Sequence, residues 1–354
     1  MLATTGILSG AAAYFAVRDV RLRDVGHALA SSSYGWLVPA AAAFVLGNVF
    51  RVVRWRLLFA PERRPGARPA AEAFLVGQLF NIVLPARAGE VTRIVALNAR
   101  TRGSRAEAAA TILLERVYDV LGLLLLLFVV LPWLPGVSWL REAVYLAVAL
   151  TAAVVALAVV VAIWADRPLR LLVGPLARLP FWKEERVESA VANLTHGLAA
   201  ARTVRLAVGA LVWTVAAWLA IGLSCWLAML AFDLGLSPLA GVFVVATVGL
   251  SMILPSAPAA LGVFEAAVVA TLAAYGTGRA TALSYALVLH ALHVLPLVAA
   301  GMGVLHARGL SFWRGRPDAV LARRASEGPG SSSYSGSSSE KWRIFSRPQK
   351  TRPR

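Results

Sequence analysis

Asn81-Ile82-Val83-Leu84-Pro85-Ala86-Arg87-Ala88-Gly89-Glu90, with Arg93 three residues on, interrupts an otherwise apolar segment covering about residues 71–97. Proline removes a backbone donor and clashes with the preceding turn, so this segment is not one continuous helix. The chain repeats the pattern at 239–276, where Pro255-Ser256-Ala257-Pro258 and Gly262 break an apolar run and Glu265 follows. Broken backbone at membrane depth survives only where protein or a watery cavity satisfies its polar groups. Each segment is then either a re-entrant hairpin, entering and leaving on one side, or a kinked span or pair of short spans.

The surroundings of these breaks are those of a membrane protein. Of 354 residues, 59% are hydrophobic and 15% are charged, against about 25% charged in soluble proteins. A helix needs about 20 apolar residues to cross the hydrocarbon core. The runs at about 35–53, 108–132, 143–164, 206–232 and 281–306 meet that length, and the shorter run at 2–17 adds a sixth. The first run lacks a positive n-region and reads as a retained span rather than a cleaved signal. The expected fold is an all-α integral membrane protein with about six full spans plus two re-entrant or broken helical segments. This composition argues against a soluble enzyme, a secreted disulfide scaffold, a fully disordered chain and a nucleic-acid binder. The one cysteine, Cys225, rules out an intramolecular disulfide and multi-thiolate metal sites.

Charge decides between the two readings of the breaks. The formal net charge is +17, from 35 Lys+Arg and 18 Asp+Glu. With a cytoplasmic N-terminus and re-entrant breaks, twenty-four of the cations fall in cytoplasmic pieces and five outside. If both breaks crossed fully, the cation-rich 98–107 and 165–206 loops would move outside, against the positive-inside rule. The re-entrant reading makes each half of the chain span, span, hairpin, span. Three crossings per half turn the second half upside down, which predicts an inverted repeat with the hairpins entering from opposite faces. The spacing agrees: Glu90 to Glu115 and Glu265 to His290 are both 25 residues. Transporters built this way place their sites near the midplane, where broken helices meet.

Residues 1–307 thus read as a polytopic transmembrane domain. Residues 308–354 read as a basic, Ser/Gly/Pro-rich, disordered cytoplasmic tail, because their composition cannot bury a core. Trp36, Trp133, Trp139 and Trp164 fall near span ends, as interfacial anchors do.

Ionisable residues within a membrane are costly and point to function. Arg51, Arg54 and Arg56 surround Trp55 at the inner end of the second span; they are phosphate ligands or snorkelling ends of a helix. Asn81, Arg87, Glu90 and Arg93 lie in the first break, with one acid between two bases. Glu115, Arg116 and Asp119 follow at helical spacing, as counter-ions for these arginines or as a cation path. Glu265, His290 and His293 form the last group. No metal motif accompanies the histidines, so a titratable relay or hydrogen bonding is expected there instead of zinc. There is no P-loop, no GxSxG and no GxGxxG with a following acid, so no cofactor is expected and the chain does not read as an enzyme.

Taken in order, Arg54-Trp55-Arg56, the Asn81–Glu90 run with Arg93, Glu115-Arg116 with Asp119, and Pro255 to Gly262 with Glu265 resemble the lysylphosphatidylglycerol synthase transmembrane, or flippase-like domain, family. The resemblance covers about residues 2–307. It implies a multi-pass protein of the bacterial or archaeal inner membrane, with both termini cytoplasmic in the topology above. In bifunctional members this region resembles a flippase, and a separate soluble domain makes the aminoacylated lipid. Only about 47 residues follow the last span here, so aminoacyl transfer is not expected of this chain. The expected function is translocation of a phospholipid or lipid-linked headgroup, with Arg54, Arg87 and Arg93 holding phosphate. The expected partners are a membrane phospholipid or polyprenyl-linked lipid, and a lipid-modifying enzyme encoded separately. The alternative is a membrane-embedded enzyme or accessory factor acting on such lipids.

Overall fold

The computed structural model describes residues 2–18, 20–84, 88–101, 104–133, 149, 204–252 and 257–308. The described residues include the helices α1 (Leu2–Val17), α2 (Leu22–Ala30), α3 (Leu37–Leu57), α4 (Ala67–Val83), α5 (Gly89–Asn98) and α6 (Arg105–Val130). They continue with α7 (Val204–Ala231), α8 (Pro238–Ser251), α9 (Val263–Ala273) and α10 (Arg279–Arg308). Helices cover four of the expected runs, as α3, α6, α7 and α10, and the short first run is α1. The expected span at 143–164 apart from residue 149, the bulk of the expected tail, Trp139, Trp164, Arg87 and Pro255 lie outside the described residues. Among the described residues three helices are long and apolar enough to cross a membrane: Tyr34–Leu57, Val204–Ala231 and Arg279–Arg308.

Both apolar segments break where proline and glycine interrupt them. α4 stops because Leu84, the residue before Pro85, is extended at φ −100° and ψ 145°, the conformation a following proline demands. The chain then turns back. A Cβ on Gly77 would lie 2.8 Å from the Cβ of Arg93, and one on Gly89 would lie 2.0 Å from the Gly77 carbonyl oxygen. α4 and α5 are therefore antiparallel and in backbone contact, with Glu72 and Arg100 joined across the open end at 2.9 Å. α8 and α9 make the second hairpin: Thr247 and Thr271 share a hydroxyl hydrogen bond of 2.7 Å, and Phe243 meets Tyr275 edge to face.

The two hairpins open at opposite ends of α10. Arg308, its last residue, bonds to Glu72 at the mouth of the first hairpin. Arg279, its first residue, follows directly on the mouth of the second and donates to the Arg18 carbonyl oxygen at 3.2 Å. The 30 residues between them span about 45 Å of helix. α3 and α7 pack antiparallel between the hairpins: Ser33 N–H donates to Ala231 at one end, and Arg54 reaches Thr214 towards the other. Small residues allow the close approach. Gly47 faces Ala217 and Ile221, and Gly241 faces Gly222.

One element was not anticipated. The expected outer loop at 18–34 contains the short helix α2. It is amphipathic, burying Val25 while its neighbours stay exposed, and Ser284 of α10 donates to the Val25 carbonyl oxygen. Trp36 and Trp133 are exposed at helix ends, as expected of interfacial anchors.

Candidate functional site

The expected polar residues fall into two layers around one cavity. The inner layer is a closed ion-pair core. Arg54 is fully buried on α3 and reaches Asp119 at 2.6 Å and Glu115 at 3.2 Å, both on α6. It also donates to the Thr214 hydroxyl at 3.2 Å. Arg93 on α5 pairs with Glu115 at 2.9 Å and stacks its guanidinium 3.5 Å from the centre of the Trp55 ring. The Trp55 indole in turn donates to Thr111. Such pairs need every partner, since removing one leaves an uncompensated buried charge. Arg54, Arg93 and Glu115, expected as ligand or counter-ion residues, are engaged in this core and do not line the cavity.

The outer layer does line it. A cavity of about 600 Å3 lies between the broken ends of the two hairpins. At its charged end stand Arg51 on α3, Glu90 on α5, and Arg116 and Asp119 on α6. Arg116 lies 3.3 Å from Glu90, 3.4 Å from Glu115 and 3.4 Å from Asp119. Arg51 lies 3.7 Å from Asp119, and its Nε has no hydrogen-bond partner. Among the described residues, four guanidinium groups (Arg51, Arg54, Arg93, Arg116) meet three carboxylates (Glu90, Glu115, Asp119). The cluster therefore carries one net positive charge.

Three amides and an indole join this end: Asn48, Gln78, Asn81 and Trp218. Asn48 donates to the Phe44 carbonyl oxygen at 2.9 Å, leaving its Oδ1 buried and unpartnered. The Oδ1 of Asn81 and the Nε1 of Trp218 are also buried without partners. Buried polar groups are normally hydrogen-bonded, so these three atoms and Arg51 Nε mark an incompletely satisfied polar layer behind the charged end of the cavity. Sequence reasoning passed over Asn48, Gln78, Thr214 and Trp218. An amide in the middle of an apolar span is the signal that would have found Asn48.

The rest of the wall is apolar, with Val244, Val245 and Val248 from α8 and Leu289 and Leu297 from α10 among its residues. The cavity is also lined by His290, stacked on Phe264 at 4.4 Å between ring centres, and His293, stacked on Phe44 at 4.2 Å. Glu265 sits behind His290, 2.5 Å from its Nδ1. Its other oxygen accepts the Gly262 N–H at 2.7 Å and so caps α9. The turn before α9 holds Ala259 at φ 54° and Ala260 at φ 57°. Left-handed backbone costs an L-residue about 1–2 kcal/mol, so contacts from outside the turn must hold it.

The family model for the lysylphosphatidylglycerol synthase TM region matches residues 2–301. The chain belongs to this family. The lysylphosphatidylglycerol synthase TM region accordingly takes in both hairpins, the ion-pair core and the cavity. Membership and the three long apolar helices make the chain a membrane protein, and the family suggests a lipid-related function. No curated protein matches the chain.

Proposed function

We propose that this chain is a lipid flippase, moving the headgroup of a phospholipid or lipid-linked saccharide across the bacterial inner membrane through the cavity between the hairpins. The observation that carries the reading is the composition of that cavity. Its charged end presents the Arg51 and Arg116 guanidinium groups beside Glu90 and Asp119 and backs onto a cluster with one net positive charge, suited to a phosphate. Its remaining wall is apolar and suits the glycerol or prenyl portion. The chain acts on lipid without transforming it, and a separately encoded enzyme supplies the modified lipid.

Six full spans and an inverted repeat belong to the same reading. Its support is that neighbours exchange between the halves. α4 packs on α5 and α8 on α9; α4 meets α10, and α8 meets α6; α3 and α7 pair with each other. Opposed hairpin mouths follow from that symmetry. The charge distribution supports a cytoplasmic location for both termini.

The test is movement of fluorescent phospholipids in vesicles containing the purified chain. Protein-dependent exposure of inner-leaflet label is expected. Arg116→Ala and Glu90→Ala should each slow it while leaving folded yield unchanged. A charge-assisted contact is worth about 1.5–3 kcal/mol, so a loss of roughly ten- to a hundredfold in rate is expected. No movement across a broad lipid panel would sink the proposal, and a chemically altered lipid would indicate an enzyme instead.

A further inference from the structure

His290 is held between two acceptors. Its Nδ1 lies 2.5 Å from Glu265 Oε1, and its Nε2 lies 3.0 Å from the carbonyl oxygen of Ala259. A neutral imidazole has one N–H and one lone pair. Facing an ionised Glu265, it satisfies one of these contacts and turns a lone pair on the other. Both contacts are hydrogen bonds only when the pair carries one further proton, either as imidazolium beside carboxylate or on Glu265 itself. Glu265 Oε2 already accepts the Gly262 N–H, so the shared proton belongs between Oε1 and Nδ1. Either placement leaves the pair neutral, in keeping with its burial beneath Phe264.

The bond that this proton permits is the one to Ala259. Ala259 and Ala260 are the left-handed residues of the second hairpin, and both line the cavity. Strained backbone persists only where its surroundings hold it, and it gathers at switch regions. α1 supports the turn from the other side, where Ser9 Oγ accepts the Ala257 N–H at 2.8 Å. From within, His290 holds it.

We infer that Glu265 and His290 form a proton-binding site whose occupancy sets the position of the Ala259–Ala260 turn, and thereby one wall of the cavity. Its link to lipid movement rests on the flippase reading above. When the proton leaves, through the cavity that His290 lines, the imidazole keeps its charge-assisted bond to the carboxylate, the stronger of the two. The Nε2 lone pair then opposes the Ala259 carbonyl, and the turn loses its inner tether. The pair also becomes an anion beside a cavity that Arg51 and Arg116 line as well. Other ionisable groups face the site. His293 lies on the same helix, with Ser224 Oγ 3.4 Å from its Nε2. Cys225 comes from α7, and Arg51, Glu90, Arg116 and Asp119 line the same cavity. The described residues of α4 and α8 that face the cavity are uncharged.

The experiment uses the full chain with Ala259→Cys and Cys225→Ala, in vesicles of phosphatidylglycerol and phosphatidylethanolamine. Thiol labelling by a small maleimide is followed from mildly acidic to mildly alkaline pH. Rates are divided by those of the same chain carrying Glu265→Gln, which cancels the thiol's own titration. The glutamine amide can accept from Gly262 and donate to Nδ1, so its His290 keeps the Nε2–H bond to Ala259 at every pH. The ratio is expected to rise with pH, by up to about tenfold per unit for a single proton. His290→Ala should label fast throughout. A flat ratio, or His290→Ala labelling as slowly as Glu265→Gln, would overturn the inference. If the glutamine chain does not fold, magnetic resonance of nitrogen-labelled histidine in the unaltered chain replaces it. A doubly protonated ring at acidic pH that loses one proton on alkalinisation supports the site, and no titrating ring overturns it. Lipid movement in the same vesicles separates the two readings. A rising ratio without lipid movement supports the proton site and removes the flippase reading, whereas lipid movement with a flat ratio does the reverse.

Discussion

Arg54 and Arg116 carry the same charge and face the same two carboxylates, yet they do different work. Arg54 is sealed between α3, α6 and α7. Its truncation leaves Glu115 and Asp119 short of a buried partner. Arg54→Ala should therefore cost about 3–5 kcal/mol, seen as lost folded yield and a lower unfolding temperature in detergent. Arg54→Lys should recover little, because an ammonium cannot bridge two carboxylates as the planar guanidinium does. Arg116, with its side chain 32% exposed at the cavity wall, should lose transport instead of stability. Equal destabilisation by the two alanine substitutions would contradict this division. In the sequence the two are indistinguishable cations in apolar segments. Which of them faces inward depends on helix rotation, and only packing sets that.

At the scale of elements, glycine contacts hold the first hairpin closed. A Cβ on Gly89 would fall 2.0 Å from the Gly77 carbonyl oxygen and 2.5 Å from the Asn81 nitrogen, and backbone cannot move aside as a flexible side chain can. Gly89→Ala should cost at least the roughly 1–3 kcal/mol typical of overpacking, measured by thermal unfolding of the purified chain. α10 offers an internal comparison. A Cβ on Gly301 would meet Leu79 Cβ at 2.8 Å and the Leu75 carbonyl at 3.0 Å, whereas one on Gly303 would meet nothing within 4 Å. Gly301→Ala should destabilise. Gly303→Ala should be neutral or stabilise by up to about 1 kcal/mol, because alanine is the better helix former. The breaks themselves were legible, since Pro85 and the residue before it can do little else. The left-handed alanines at 259 and 260 were not, because nothing in an alanine announces a positive φ.

For the molecule as a whole, the ends of α10 act as the reference. Glu72 gathers Arg68, Arg100 and Arg308 at one end, so both legs of the first hairpin emerge there. The second hairpin emerges at the other end. Single cysteines replacing Glu62 and Thr101 should thus be labelled from the same side of the membrane by an impermeant reagent, and one replacing Gly278 from the opposite side. In the proposed topology the first side is cytoplasmic. Labelling of the first two positions from opposite sides would show a full crossing between them and end the re-entrant reading.

The amino-acid sequence alone determined that this is a helical membrane protein of the lysylphosphatidylglycerol synthase TM family, where its long apolar helices run, and where two apolar segments must break. These are consequences of hydrophobic run length, proline's missing donor and the order of a few motifs, all local along the chain. It also brought forward most of the charged residues later found together, since an ionisable group in lipid is conspicuous by its cost. Tertiary structure decided which charges are sealed against one another and which line the cavity. Arg54 pairs with Glu115 and Asp119, and Arg93 with Glu115, behind the cavity, while Arg51, Arg116, Asn48 and Trp218 line it. It also decided that His290 would sit between two acceptors. Those outcomes depend on the rotation of helices distant in sequence and on backbone contacts at glycine, which periodicity and spacing do not encode.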